Sequence, residues 1–433
     1  MWGHQKVKKY FLKNQNNIYY YFLFFIIVII YTTYFFKSFN EILGDGWAYT
    51  NLFINYSGGL ARRGLLGAIF LKLNDQFETN PLTFFTLVYF TCYFLQIIIF
   101  YKLFYKFKDF KIFATFLILS PSIIFFNIYD LNVMMTQDAF INLAILLHAF
   151  VFINKKIRFN YYKNFLLFLL FPLITINIFN HENQIFFIPF HFLLTYIYIK
   201  QGVNLKITFN LLKCYVIFLL PIFIILSSSG SFEKLYIINE SIKDFNVELH
   251  NQFAGNFNLA IGGFLKWHFI YHDVHNFLRL LFCVFMSIFL IYLLFQNLIN
   301  KKILYSDNLI LKNYLLFILP SFTIFLMVLD HGRSLNMMTI HLISFYLVLN
   351  FNYLKFKKYY LSIKNNFFLK NIIYLFLFFY LFLWYLPQGG GYTGIGNFKT
   401  LFKSGFSNEI INFFLIVYNF IDNNFFELPR IIV

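Results

Sequence analysis

Apolar segments close to 20 residues long recur along the whole chain, and they constrain the fold more than any other feature. An α-helix needs about 20 apolar residues to cross the hydrocarbon core of a bilayer. Hydrophobic residues make up 60% of the 433 residues and charged residues 12%, against about a quarter charged in soluble domains. We therefore predict an all-α polytopic membrane protein, folded as a single transmembrane domain over residues 1–433.

Eleven segments are predicted to span the membrane. They leave two long loops, 37–82 and 227–277, and several short connections. The first loop has an amphipathic stretch near 60–73, which we expect to lie along the membrane surface. The apolar run 409–421 is short, and whether it spans or re-enters the membrane stays open. The predicted spans are 18–36, 83–101, 112–127, 139–153, 164–179, 183–199, 208–226, 278–298, 313–329, 334–350 and 371–386.

Basic residues lie predominantly on one side of this predicted bundle. The N-terminal segment and every second loop carry most of the 35 lysines and arginines, and the acids there are Asp109 and Asp307. Because Lys and Arg collect in cytoplasmic loops, we predict a cytoplasmic N-terminus and a bacterial inner-membrane location. The net charge of +17 then reflects topology and contact with anionic lipids. It does not indicate nucleic acid as a partner.

The loop after the first predicted span contains the most unusual segment, residues 44–67, GDGWAYTNLFINYSGGLARRGLLG. Its six glycines let backbone approach a ligand closely, and Arg62 and Arg63 offer guanidinium forks that fit phosphate oxygens. Asp45 could accept a proton from a hydroxyl group. Two other readings stay open: Asp45 could form a simple turn, and the arginine pair could anchor the loop to lipid headgroups.

Further polar residues fall on the same predicted outer side. His181 and Glu182 occupy the tip of a hairpin between two spans, and ionisable residues at such depth are candidates for function. The alternative is a polar turn at the water interface. The segment from Asp330 through His331 to Arg333 ends another span, where Asp330 and Arg333 could also pair with each other at i, i+3 spacing. A short turn holds Asp130 and Asp138, for which solvation alone is a sufficient explanation.

A divalent metal such as Mg²⁺ or Mn²⁺ is a second open question. Carboxylates on the predicted outer face would supply the hard oxygens that these ions prefer, but no fixed ligand spacing is present. The spacing of His268, His272 and His275 favours a solvated helix face over a metal site. The carboxylates in question are Asp45, Asp130, Asp138, Glu182 and Asp330.

The layout, with many spans, a long outer loop after the first span and a second long loop later, resembles the GT-C class of membrane glycosyltransferases and the related Wzy-type (O-antigen) polysaccharide polymerases. The stretch YSGGLARRGLLG at 56–67 also looks like segments of membrane proteins from surface-polysaccharide clusters. In that class an acid of the first outer loop acts as the base, and the matching position is Asp45 in GDGWAY. The resemblance implies a donor linked to polyprenyl (undecaprenyl) phosphate or pyrophosphate, bound by Arg62 and Arg63, and a glycan acceptor. Sugar hydroxyls or a second phosphate would then be bound by His181, Glu182, Asp330, His331 and Arg333.

Two other classes of protein are compatible with a chain of this kind. A flippase for lipid-linked oligosaccharides should carry polar residues through its span interiors and show an internal repeat. The sequence shows no repeat, and its polar groups gather at one surface, which favours an enzyme of surface-polysaccharide biosynthesis. An acyltransferase could use His181 as base, but no supporting motif accompanies it.

Overall fold

The computed structural model describes a helical protein. Within the described residues, the regular elements are helices and helical turns, with no strand, as the sequence predicted. The described residues are 16–33, 35–36, 47–61, 63–129, 134–153, 159–200, 210–227, 231–249, 281, 283–289, 291–292, 314–324, 331–348 and 365–382.

Twelve helices are named here in chain order. They are α1 (Asn16–Thr33), α2 (Leu65–Phe77), α3 (Pro81–Phe104), α4 (Lys111–Ile118), α5 (Asp138–Ile153), α6 (Phe159–Asn180), α7 (Gln184–Lys200), α8 (Leu219–Ser227), α9 (Phe232–Ile242), α10 (Tyr314–Phe322), α11 (His331–Val348) and α12 (Phe367–Phe382). Shorter helical turns are Trp47–Thr50, Asn51–Phe53, Tyr105–Phe107, Phe126–Tyr129, Cys214–Phe218, Lys243–Phe245 and Phe285–Phe289. A π-helical turn, Leu166–Leu170, lies within α6.

Three helices in the described part of the chain are long and apolar enough to cross a membrane. They are α1, α3 with its following turn, and α6. Their outward faces carry large apolar side chains such as Phe25, Leu87 and Phe168, the last of them 77% exposed. Contiguous apolar surface of this kind is characteristic of protein that faces lipid. The chain is therefore a membrane protein, and its eleven spans stay a prediction.

Helix α5 occupies the centre of the described bundle. It is apolar around most of its circumference, which is the pattern of a fully buried helix, and most of its side chains are buried. Helices α3 and α11 pack along it, and α7 packs against α5, α10 and α11. We call the mutually packed helices α5, α7 and α11 the three-helix core.

The three helices of this core run in the same direction. Asp138 and Arg333, near the starts of α5 and α11, are bonded to each other. Farther along the same helices, His148 and His341 both contact the His191 ring of α7. Helix α6 runs back between α5 and α7, so its last turn returns to the end of the core where the three helices begin. We call this the N-terminal end of the core.

The segment before α2 is held in place by Asn55. Its fully buried side chain donates to the Phe53 carbonyl and to the Ser241 hydroxyl of α9, both at 3.0 Å, and accepts from the Ser57 amide at 2.8 Å. Phe53 meanwhile packs edge-on against Phe70 of α2. The segment is thereby fixed between α2 and α9, immediately before Arg63.

Gly58 and Gly67 of this region serve a different purpose from the predicted one. A Cβ atom at Gly67 would lie 2.2 Å from the Ile54 carbonyl oxygen, and one at Gly58 would lie 2.7 Å from the Lys234 carbonyl oxygen. The space beside these two glycines is therefore filled by the protein's own backbone. The prediction that they admit a ligand was wrong, because the loop folds back on itself and packs against α9.

The predicted span 112–127 is also different in the structure. Helix α4 ends at Ile118, and turns follow as far as Phe125. Pro121 lacks an amide hydrogen and disfavours helical backbone at the residue before it. The Ser120 hydroxyl lies 2.8 Å from the Tyr380 hydroxyl of α12, which holds the turn inside the protein. Apolarity alone could not distinguish this buried turn from a span.

Candidate functional site

Arg63 and Glu182 form a bidentate ion pair. The Nε atom of Arg63 donates to Oε2 of Glu182 at 3.1 Å, and Nη2 donates to Oε1 at 2.6 Å. Both side chains keep partial access to solvent. Two parallel charge-assisted bonds fix the plane of the guanidinium as well as its position. The Gly-rich loop is thereby joined to the turn between α6 and α7.

A second, more deeply buried ion pair lies beside the first. The Nε atom of Arg333 donates to Oδ2 of Asp138, which the Thr136 hydroxyl also approaches at 3.3 Å. The pair connects the first turn of α11 to the first residue of α5. A carboxylate at a helix N-terminus is further stabilised by the helix dipole.

His181 connects the two ion pairs. Its Nε2 atom lies 3.2 Å from Nη2 of Arg333 and 3.5 Å from Oδ1 of Asp138, and its Nδ1 atom lies 3.8 Å from Oε2 of Glu182. The side chain is buried, with 2% of its surface exposed. The Asn183 amide donates to Nδ1 at 3.1 Å, so Nδ1 is an acceptor and the ring orientation is fixed.

His181 is neutral at physiological pH. Burial and, second, the nearby Arg63 cation lower the pKa of its imidazole from 6.5 to about 3. Burial disfavours any charged group, and a cation disfavours the formation of another beside it. The network therefore contains two cations and two anions around an uncharged ring, and its formal charges cancel.

Arg63 has an unusual backbone conformation. Its φ angle is 64°, in the left-handed region that residues other than glycine, asparagine and aspartate rarely adopt. The neighbouring Gly64 has no room for a side chain, because a Cβ atom there would lie 2.5 Å from the Tyr56 ring. Such strained positions collect at functional sites. The loop is built so that the Arg63 side chain points towards Glu182.

The structure brings together four of the eight residues that the sequence singled out. The four in the network are Arg63, His181, Glu182 and Arg333. Asp45, Arg62 and Asp330 lie outside the described residues, and for His331 the structure describes only its place as the first residue of α11.

Two interpretations need correction. Asp138 was explained by solvation, yet it is buried and paired with Arg333. The alternative reading of His181 as a polar turn residue at the water interface is likewise wrong, because its ring is buried. Both errors arise because the helix packing places α11 against α5, a contact between residues 195 positions apart.

The metal prediction finds no support in the described residues. No group of three or more His, Cys, Asp or Glu side chains among them is arranged to hold an ion. Of the predicted carboxylates, Asp138 and Glu182 are each bound by an arginine. Asp45, Asp130 and Asp330 lie outside the described residues, so a metal stays a prediction for those three alone.

Buried amide side chains surround the network. Within the described structure, the Gln137 Nε2, Asn180 Oδ1 and Asn183 Oδ1 atoms are buried and have no hydrogen-bond partner. These residues adjoin Asp138, His181 and Glu182 in the sequence. Buried polar atoms are nearly always satisfied by protein, ordered water or a ligand. The N-terminal end of the core therefore has unused hydrogen-bonding capacity beside its charges.

Polar groups are not confined to the surface at which they were predicted to gather. His148, His191 and His341 are fully buried in the middle of the three-helix core. Each lies at a position inside a predicted span. An ionisable residue within a span is itself a signal of function, and this signal could have identified all three from the sequence.

Comparison with known proteins gives no relative. No family model, no curated protein and no solved structure matches this chain.

Proposed function

We propose that the protein is a membrane glycosyltransferase or polysaccharide polymerase of cell-surface polysaccharide synthesis. Its donor would be a sugar or oligosaccharide linked to a polyprenyl phosphate or pyrophosphate, and its acceptor a glycan hydroxyl. The observation that carries the proposal is the Arg63–Glu182 pair, which lies partly open to solvent above the buried Asp138–Arg333 pair. Ionic networks inside apolar helical proteins are costly and are kept where they serve a function.

The Arg63 guanidinium is suited to bind a phosphate while it remains paired. Its contact with Glu182 uses Nε and one Nη2 hydrogen. A guanidinium has five hydrogens, so the Nη1 edge can donate two bonds to an anion. Glu182 would fix the direction in which the Nη1 hydrogens of Arg63 point, and the neighbouring Arg62 would add a second guanidinium. Lipid-linked donors present the matching phosphate oxygens.

The reaction we propose has one bond formed and one broken. The acceptor hydroxyl oxygen attacks the anomeric carbon of the donor sugar, and the bond from this carbon to the phosphate oxygen breaks. Asp45 takes the hydroxyl proton. Arg62 and Arg63 stabilise the charge that develops on the departing phosphate. Sugar hydroxyls would be bound by Asp330, His331 and the amides beside His181. The buried pair of Arg333 and Asp138 would keep the helices beneath the site in place.

A second candidate is a flippase for a lipid-linked oligosaccharide. The observation that favours it is the set of buried histidines in the three-helix core, because transporters carry ionisable groups in their span interiors. The two candidates share a lipid-linked sugar phosphate as ligand and differ in whether a glycosidic bond is formed.

Analysis of lipid-linked intermediates in a deletion strain distinguishes the candidates. Loss of a polymerase should leave lipid carriers with a single repeat unit, exposed on the outer leaflet. Loss of a flippase should leave the same precursor on the cytoplasmic leaflet, inaccessible to an external glycosidase. Complementation with Asp45→Asn should restore donor binding without polymer if Asp45 is the base. An unchanged polysaccharide and an unchanged intermediate pool would contradict both candidates.

A further inference from the structure

The buried histidines belong to a chain of neighbouring polar side chains inside the bundle. The Tyr162 hydroxyl of α6 lies 2.7 Å from Nε2 of His148, and Nδ1 of His148 lies 3.1 Å from Nδ1 of His191. The two imidazoles are stacked, with 7° between their planes. A contact between two Nδ1 atoms needs one shared proton, so one ring donates and the other accepts.

The chain continues beyond Tyr162. Thr195 of α7 is a neighbour of Tyr162, and the Thr195 hydroxyl lies 2.8 Å from the Tyr215 hydroxyl. Each of these hydroxyls can both donate and accept. The bonds from Tyr215 to His191 can therefore all point in one direction or all in the other, and each direction satisfies every group within the chain.

The other end of the chain faces His341. Nδ1 of His341 lies 2.7 Å from the Met337 carbonyl oxygen, so this nitrogen is the donor and Nε2 is a free acceptor. Nε2 of His341 and Nε2 of His191 are both buried without a partner. Their ring centroids are 6.1 Å apart, and a buried water that contacted both atoms would satisfy them.

The polar groups extend from one end of the bundle towards the other. His148 follows Asp138 by ten residues, or about 15 Å of helix. Between these levels Asn142 bonds to Asn336 at 3.1 Å, and the Asn142 Oδ1 atom has no further partner in the described structure. Tyr162 lies in the first turn of α6, about 27 Å from the α6–α7 turn. This length approaches the thickness of a bilayer core, about 30 Å.

We propose that this chain is a proton path through the interior of the bundle. A proton bound at Nε2 of His191 makes Nδ1 donate to His148, whose Nε2 donates to Tyr162. Tyr162 then donates to Thr195, and Thr195 donates to Tyr215, which releases its own proton. One proton enters and one leaves, and the chain is left pointing the other way until its groups reorient. The proposal does not depend on the proposed glycosyl transfer.

Proton flux into liposomes tests the path. The full-length protein is reconstituted into phosphatidylethanolamine–phosphatidylglycerol vesicles that contain a pH-sensitive dye, and a potassium diffusion potential drives protons inward. We expect acidification above that of empty vesicles. Tyr162→Phe removes one hydroxyl and keeps the ring, so it should fold and should lower the flux about tenfold or more. His148→Gln should have a similar effect.

Tyr198→Phe is the matched control. The Tyr198 ring stacks on Tyr162 at 3.6 Å between centroids, so this variant makes the same chemical change at a neighbouring ring and should conduct like the native protein. Native-like flux in Tyr162→Phe would overturn the proposal, as would native protein that conducts no better than empty vesicles. Equal losses in Tyr198→Phe and Tyr162→Phe would also overturn it, because ring packing would then explain both.

Discussion

Arg333 donates to Asp138 across 195 residues of sequence, and the two residues lie near the starts of α11 and α5. The bond therefore sets the relative height of two parallel core helices. It also places charge in the protein interior, next to the ring of His181. Removal of either partner would leave an uncompensated buried charge.

The first prediction is that single substitutions at this pair are strongly destabilising. Asp138→Asn or Arg333→Gln should each lower the free energy of unfolding by about 3–5 kcal/mol. The double variant Asp138→Leu with Arg333→Met replaces the pair by apolar side chains and should recover a large part of the loss. Thermal unfolding of the detergent-solubilised protein measures all three. A double variant as unstable as the sum of the singles would show that the pair does not act as a unit.

The second prediction concerns the fork of Arg63. Arg63→Lys keeps the charge and loses the bidentate geometry, so it should abolish most polysaccharide product while expression persists. Glu182→Gln keeps the shape of Glu182 and loses its charge, so it should weaken donor binding through misorientation of Arg63.

Polysaccharide ladders are the readout, and Arg62→Lys and the Arg62→Lys, Arg63→Lys double variant complete the set. If the pair only anchors the loop to lipid headgroups, lysine at both positions will be tolerated. Normal ladders from both single variants and from the double variant would therefore rule out a phosphate clamp.

The third prediction is a pH dependence of stability through His181. Its pKa is about 3 in the folded protein and near the ordinary 6.5 when unfolded. Between these values the unfolded chain binds more protons, so acidification through this range favours unfolding. His181→Gln removes this contribution, and its melting temperature should fall less steeply than that of the native protein between pH 7 and pH 5. Parallel curves would mean that His181 does not titrate as described.

The fourth prediction is that Gly67→Ala disrupts the loop before Arg63. The added methyl group would meet the Ile54 carbonyl, and overpacking of this kind costs about 1–3 kcal/mol. Ile69→Ala, on the exposed face of the same helix, should change stability by no more than about 0.5 kcal/mol. Limited proteolysis near residue 60, compared between the two variants, measures local loosening. Equal protection would show that the loop adapts without loss of packing.

The fifth prediction is the orientation of the chain. Ser229 and Ser306 occupy loops with opposite charge character and lie outside the described residues. With Cys214, a half-buried native cysteine, replaced by serine, Ser229→Cys should react with an impermeant maleimide in intact cells and Ser306→Cys only after lysis. The opposite pattern would place the N-terminus outside.

Hydrophobic runs predicted the long helices well. The spans 83–101 and 139–153 correspond to Pro81–Phe104 and Asp138–Ile153, because apolar length and helix formation agree in these segments. The run 112–127 failed, since Pro121 ends a helix in a segment whose apolar residues are buried in a turn. Length and apolarity report burial, and they do not report the backbone path.

The candidate site was only partly visible in the sequence. His181 and Glu182 were recognised because charge at a hairpin tip is unusual. The partner of Arg333 was missed, since Asp138 lies in a different helix and no local spacing connects the two. His148, His191 and His341 were overlooked although each lies inside a predicted span, and no local spacing connects the three. Only the packing of α5, α7 and α11 makes them neighbours.

The π-helical turn of α6 determines which residues of this helix face the protein core. The fully buried residues of α6 at four-residue intervals are Tyr162, Leu166, Leu170, Ile174 and Ile178. In an uninterrupted α-helix, residues four positions apart point in directions that differ by about 40°. Five residues spaced in this way would therefore spread over more than a third of the helix circumference and could not all face the core. The π-helical turn accommodates one extra residue, which reverses about 100° of this angular drift and keeps the five residues on one face. Loss of one residue there would turn Tyr162 away from His148, although neither residue would itself have changed.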